Sequence, residues 1–400
     1  MPRALGFVLA AVFIDTVGFG IVYPPMPKLI MELTGEGLSA AAGYAGGLMF
    51  VFALMQFFAA PVLGNLSDRF GRRPVLLLSL AGFGIDYAVM GFAPDLTWLF
   101  VGRAIAGVCG ATYATANAYI TDVTPPDDRA KRFGLVGAAW GVGFIVGPAL
   151  GGVLGEIGPR VPFFAAASLA LANVLYGYFV LPESLKESDR RPFSLARANP
   201  VGSIRQMSRY PIVIGLMGAL FFYQIAHDAN PATWNFYTME KFQWTSGDIG
   251  WSMAVIGASF ALVQMLMIGP IIARLGERRT AYAGFSLYVI AFILLAFAPA
   301  GWVVYAAIVP FAFGTIANPA IRSIMSRAIP ANAQGELQGA LGSMQSLTAI
   351  GAPVLMTQLF RYYTRVGAPI HFPGAPFLAA GLLTLAALVV CLLVLRGFDR

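Results

Sequence analysis

Residues 64–74 read Gly64-Asn-Leu-Ser-Asp68-Arg69-Phe-Gly71-Arg72-Arg73-Pro74, and residues 269–279 read Gly269-Pro-Ile-Ile-Ala-Arg274-Leu-Gly276-Glu-Arg278-Arg279. Each charged stretch separates two apolar runs. Gly64, Arg69, Gly71 and Arg73 recur at Gly269, Arg274, Gly276 and Arg278, an offset of 205 residues. The same offset carries Phe92-Ala93-Pro94 onto Phe297-Ala298-Pro299. It also carries Pro125, Gly134, Gly137 and Pro148 onto Pro330, Gly339, Gly342 and Pro353. One constant displacement over so many matches marks two halves built on one plan.

The surroundings of those stretches fix the solvent. Of 400 residues, 58% are hydrophobic and 11% charged, whereas a soluble domain carries about 25% charged residues. Apolar runs of ~20 residues, enough to cross ~30 Å of hydrocarbon, recur from end to end. Backbone groups in a bilayer must be paired internally, so the expected fold class is all-α, with twelve membrane helices in two six-helix repeats. The 45 Gly and 26 Pro suit close packing and local breaks in such a bundle. Cys109 and Cys391 lie far apart in apolar runs, and His227 and His371 are the only histidines, which argues against a disulfide framework or a metal site. Arg3 followed by an apolar run imitates a signal peptide, but Asp15 interrupts the run and no cleavage-like site follows. It is expected to be an uncleaved first span.

Spans are expected at 4–31, 41–63, 75–93, 96–121, 132–156, 162–181, 211–238, 247–268, 280–298, 302–327, 335–360 and 374–396. The longest polar interval, 182–210, carries Lys186, Arg190, Arg191, Arg197, Arg205 and Arg209. It divides the chain into halves at 1–181 and 211–400. With the N-terminus inside, 19 of the 26 Lys and Arg are cytoplasmic and five lie outside. Arg103 and Arg322 fall within spans. The positive-inside rule then places both termini in the cytoplasm. It also explains the net charge of +7 without nucleic acid.

The stretch 64–74 resembles the G-x-L-[AS]-D-R-x-G-R-[KR] loop of the major facilitator superfamily. Gly64 and Gly71 permit tight turns, and Asp68 can cap a helix or pair with Arg72 or Arg132. The resemblance implies a cytoplasmic latch made of Gly64, Asp68, Arg69, Gly71, Arg72, Arg73 and Arg132. The alternative is a loop that only sets topology. Span 1 contains Asp15-Thr-Val-Gly18-Phe-Gly20-Ile-Val-Tyr-Pro24-Pro-Met-Pro27, similar to the D-x-x-G-x-G-x-x-x-P-x-x-P pattern of drug–proton antiporters. A charged, unpaired acid at this depth costs several kcal/mol, so Asp15 is expected to be neutral or paired. Span 4 carries Gly102-Arg103-Ala-Ile-Ala-Gly107, resembling the family's R-x-x-x-G. Arginine stays protonated, and Asp15 is its expected partner. Arg103 as helix glue is the other reading. Span 5 carries Gly143 and Gly147-Pro148-Ala-Leu-Gly151-Gly152, similar to the antiporter motif G-P-x-x-G-G, with generic close packing as the alternative.

Further stretches look like tetracycline–proton antiporters: Ala53-Leu-Met-Gln56, Gly110-Ala-Thr112, Pro162-Phe-Phe-Ala165 and Gly335-Glu-Leu-Gln-Gly339. The likeness covers nearly the whole chain. It implies functional positions at Asp15, Gln56, Asp86 and Arg103, Asp86 being a membrane charge without an assigned role. Two departures stand out. That group carries an acid in span 9, where this chain reads Gly284-Phe-Ser-Leu-Tyr288-Val-Ile. It carries a histidine in span 8, where Phe260 aligns. The resemblance therefore does not fix tetracycline itself as substrate.

In span 7, Gln224-Ile-Ala-His227-Asp228-Ala-Asn230-Pro231 clusters polar groups. Asp228 is either a second proton site tuned by His227 or lies in outside water beyond an earlier helix end. Arg322 either pairs with a carboxylate or snorkels to the cytoplasm. Candidate cavity residues are Gln56, Tyr113, Asn117, Trp140, Gln224, Trp234, Gln264, Asn318 and Gln345, each aromatic having a packing alternative. Aromatic walls with scattered amides suit amphipathic, weakly charged or cationic compounds.

The resulting expectation is a secondary transporter of the bacterial inner membrane, exporting small amphipathic compounds, tetracycline-like or multidrug, as a monomer. It needs no cofactor beyond the proton gradient. Asp15, Arg103 and Asp228 are the coupling candidates. A metabolite or sugar permease on the same fold is the alternative. An intramembrane enzyme or receptor is a further one, although no nucleophile–base set or ATP-binding loop supports it.

Overall fold

Among its described residues, the computed structural model consists of helices and connecting segments without strands. It describes residues 2–110, 112–125, 128–191, 207, 209–330 and 333–397. The side chains of 2–5, 113, 130, 131 and 397 fall outside that description, and so does the expected cavity contact of Tyr113. The middle of the expected linker lies outside the described residues as well. Nine described helices are long and apolar enough to cross a membrane, or ten if one bent pair is a single span.

The first unit begins with α1 (Pro2–Ile21) and α2 (Met26–Thr34). Span 1 was expected to be continuous, but it bends by 47° between them. Pro24 and Pro25 offer no N–H to the turn before them. Next come α3 (Leu38–Phe70), α4 (Arg72–Phe92), α5 (Leu96–Cys109), α6 (Thr112–Val123), α7 (Arg129–Ile157) and α8 (Val161–Val180). Expected span 4 is thus two helices interrupted at Gly110.

The second half holds α9 (Pro211–Phe242), α10 (Ser246–Leu262), a five-residue π turn (Val263–Met267) and α11 (Ile268–Phe297). It continues with α12 (Gly301–Gly314), α13 (Ala317–Arg327), α14 (Gln334–Thr364) and α15 (Ala375–Gly397). Span 10 is interrupted at Thr315–Ile316, the repeat position of the break at Gly110. Within Ile268–Phe297 two helices meet at a kink at Gly276, which leaves helical geometry at φ 74° and ψ 164°. Its counterpart Gly71 has φ 108° and ψ 163°. Both turns need the region of φ that a Cβ makes costly, so these two glycines carry the shared corner.

Packing distinguishes two compact units. One unit is Met1–Gly37, Gly47–Ala198 and Trp244–Ala258; the other is Leu38–Gly46, Asn199–Gln243 and Ser259–Arg400. Each takes in the start of one helix whose remainder belongs to the other. A core of the first unit gathers Phe7, Val8, Leu76, Leu80, Tyr119, Ile120 and Val136. Phe92, Phe179 and Leu393 stand exposed on helix surfaces, as suits a face turned to lipid.

Candidate functional site

In the first unit a cavity of about 220 Å3 is lined by Val12, Asp15, Thr16 and Phe19 from α1, Phe83 and Tyr87 from α4, Thr112 from α6 and Trp140 from α7. Trp140 stacks on Phe144 with ring centroids 5.3 Å apart. Asp15 is half-buried on this wall. Among the described residues it makes no ion pair.

The expected pairing of Asp15 with Arg103 is therefore corrected. Arg103 pairs with Asp86, which is 0% exposed, and Nε donates to Oδ1 at 3.3 Å. The two residues belong to α4 and α5, consecutive helices of one hairpin. Gly102 makes the approach possible, because a Cβ there would lie 2.7 Å from the Asp86 carboxylate. The guanidinium also lies 5.7 Å from the centroid of the Phe52 ring. Removing one partner of such a pair leaves a buried charge uncompensated, at a cost of about 3–5 kcal/mol.

The expected antiporter motif is a glycine seam with two sides. Toward α1, a Cβ at Gly20 would meet Pro148 Cδ at 2.6 Å, and one at Gly143 would meet Thr16 at 2.8 Å. Gly147 and Gly151 likewise pack on the α1 backbone at Val17 and Ile21. On the other side, a Cβ at Gly152 would lie 2.7 Å from Ser246 O and 3.1 Å from Gly250 Cα. Glu156 accepts the Gly247 N–H at 2.9 Å. The counterpart of this contact in the second unit sets Gly46 against Thr357 and Gly43 against Arg361.

The stretch 64–74 is not a loop but the end of α3, a corner at Gly71 and the start of α4, with Gly64 inside the helix rather than in a turn; it draws in acids that sequence reasoning passed over. Arg72 donates to Asp68 at 2.5 Å and to Asp122 at 3.1 Å. Glu183 accepts the backbone N–H groups of Arg72 and Arg73 at 2.7 and 3.1 Å. Arg73 donates to the Tyr178 carbonyl at 2.6 Å. Of the two cations expected for Asp68, the one bound is Arg72. In the second unit Arg278 donates to the Leu395 carbonyl, as Arg73 does at the end of α8. Glu277 takes Arg327 at 2.9 Å and Ser323 at 2.5 Å. Glu277 and Arg327 stand at the repeat positions of Arg72 and Asp122, so the pair is kept with its signs exchanged. Reading the offset at those four positions would have revealed it.

Two of the expected cavity amides are tied to the helix breaks. Gln56 donates to the Gly110 carbonyl at 3.0 Å, and Gln264 donates to Thr315 Oγ1 at 3.0 Å. Trp234 is 1% exposed and meets Phe377 edge-on at 6.3 Å; it is a core residue of the second unit rather than a cavity wall. Asn117 and Gln345 are half-buried.

Helix α9 runs through Gln224, His227 and Asp228 and on past Pro231, so this cluster lies mid-helix. Gln224 donates to Asp228 Oδ1 at 3.2 Å, and the His227 ring meets Tyr288 Oη at 2.6 Å. Arg322 donates to Asn318 at 2.8 Å, a partner that neither reading of its role had named.

A model of the Major Facilitator Superfamily matches residues 8–227 and again 219–399. The tetracycline resistance protein, class C, of Escherichia coli is 43% identical over 358 residues, covering 90% of each chain. The class G protein of Vibrio anguillarum is 40% identical, covering 88% of this chain and 89% of its own. The multidrug resistance protein 2 of Bacillus subtilis is 28% identical, covering 95% and 92%. Among solved structures, the nucleoside transporter NupG aligns over 100% of both chains with a TM-score of 0.78 at 13% identity, a likeness of fold.

Proposed function

Because the chain belongs to the Major Facilitator Superfamily, we propose that it is a proton-driven exporter of small amphipathic compounds, tetracycline-like or multidrug. It acts as a monomer in a bacterial inner membrane, with both termini in the cytoplasm and no cofactor. The names of its bacterial relatives support the substrate class, and the charge distribution supports the orientation.

One observation carries the mechanism: Arg103 is already neutralised by Asp86, and Asp15 faces an aromatic cavity with no cation among the described residues that line it. A carboxyl group so placed can hold a proton or a cationic substrate, and holding one disfavours the other. Occupancy then biases the conformational populations of the transporter. Arg103 and Asp86 act as the fixed frame, and Asp228 is the matching carboxyl of the second unit. The charged corner around Asp68 and Arg72 is the cytoplasmic latch.

Asp15→Asn should leave folding intact and abolish uptake driven by an imposed pH gradient in everted vesicles. Undiminished gradient-driven uptake by that variant would remove Asp15 from the coupling step.

A further inference from the structure

The second unit buries a polar chain that the coupling scheme leaves unused. His227 sits near the middle of the 32-residue α9, half-buried, with Tyr223 one turn before it. Its Nδ1 lies 2.6 Å from Tyr288 Oη of α11. The hydroxyls of Tyr288 and Tyr223 are hydrogen bonded in turn. A hydroxyl has one proton to donate. If Tyr288 gives its proton to Tyr223, its oxygen receives Nδ1–H from the imidazole, and Nε2 keeps a free lone pair.

We propose that the second unit binds a proton of its own at His227 Nε2, with Tyr288 as the positioning residue that holds the ring through Nδ1. Uptake forms one Nε2–H bond with a proton from water, and release reverses it; both tyrosines keep their protons throughout. The resulting imidazolium is well placed. Its ring stacks on Tyr223 at 6.0 Å, Tyr288 at 6.3 Å and Phe260 of α10 at 6.5 Å, and aromatic faces attract a cation. Asp228, next in the chain, points from an adjoining face of α9, and among the described residues its Oδ2 is buried without a hydrogen-bond partner. Arg322 of α13 is the cation that acts on this cluster, at Tyr223. Phe292 and Phe311, packed on Tyr288 at 4.8 Å, complete the surroundings and carry no charge.

The use of this proton in transport rests on the export reading, but its binding does not, and the test separates them. The chain has two histidines. His371 is exposed beside Glu240, so His371→Gln leaves one imidazole in the protein. Nitrogen NMR of this full-length variant, labelled at histidine, should show Nε2 titrating reversibly while Nδ1 stays protonated. Adding Tyr288→Phe should release the tautomer, so that Nε2–H becomes populated and Nδ1 takes part in the titration. A ring whose resonances ignore pH overturns the proposal. So does one that titrates at Nδ1 with Tyr288 in place. Wild-type flux in proteoliposomes that ignores an imposed pH gradient would instead end the export reading and leave the titration standing.

Discussion

The two repeats share a backbone plan and differ in chemistry at matching positions. Asp86 and Arg103 form a buried ion pair in the first, while the offset places Ala291 and Ile308, 0% and 2% exposed, in the second. Arg72 with Asp122 becomes Glu277 with Arg327. The repeat position of Gly152 holds Thr357, which packs against Gly46. The corner glycines Gly71 and Gly276 do not change. Geometry is thus held where a positive φ demands it. At the helix ends, the sign of charge is free so long as both partners change together. In the interior, an ion pair and an apolar pair are interchangeable solutions, but half of each is not.

The largest effect should come from mixing the two interior solutions. Asp86→Ala alone strands Arg103 and should cost about 3–5 kcal/mol, read as a fall in the thermal midpoint of the detergent-solubilised protein. Asp86→Ala together with Arg103→Ile copies the second repeat and should recover most of the loss. Equal midpoints for the single and double variants would break the comparison. A middle-sized effect is expected for Gly152→Thr, which copies Thr357 into a seam where Ser246 O and Gly250 Cα leave no room; overpacking there should cost about 1–3 kcal/mol. The smallest is Glu277→Arg, which copies Arg72 and sets two cations together. Arg327 is 77% exposed while Glu277 is 15% exposed, so the charge contribution to the change should be about 0.2–1 kcal/mol and should fade in high salt. Arg327→Asp should restore it. A salt-independent loss would show that the pair is not the solvent-screened contact described.

Sequence alone made the repeat and the membrane helices legible, because identities at one offset and long apolar runs survive without knowledge of packing. It misplaced the partner of Arg103. Asp15 and Asp86 are both acids at membrane depth, and only the packing of α4 on α5 decides between them. The breaks at Gly110 and Thr315 went unread since glycine and proline are tolerated inside membrane helices. Trp234 looked like a cavity wall because an aromatic on a span has no mark that separates core from lining. Glu183 went unnoticed because its partners are backbone N–H groups, which no side-chain pattern records.

The glutamines at the two breaks bear on how an interrupted span behaves. Gln56 holds the Gly110 carbonyl and Gln264 holds Thr315, each from a different helix. Opening either joint therefore requires rupture of a side-chain bond as well as fraying of the helix ends, and the interruption acts as a stiffened elbow rather than a slack one. Deuterium uptake by the amides around residue 110 should report that stiffness directly, rising in Gln56→Leu while distant amides keep their rates.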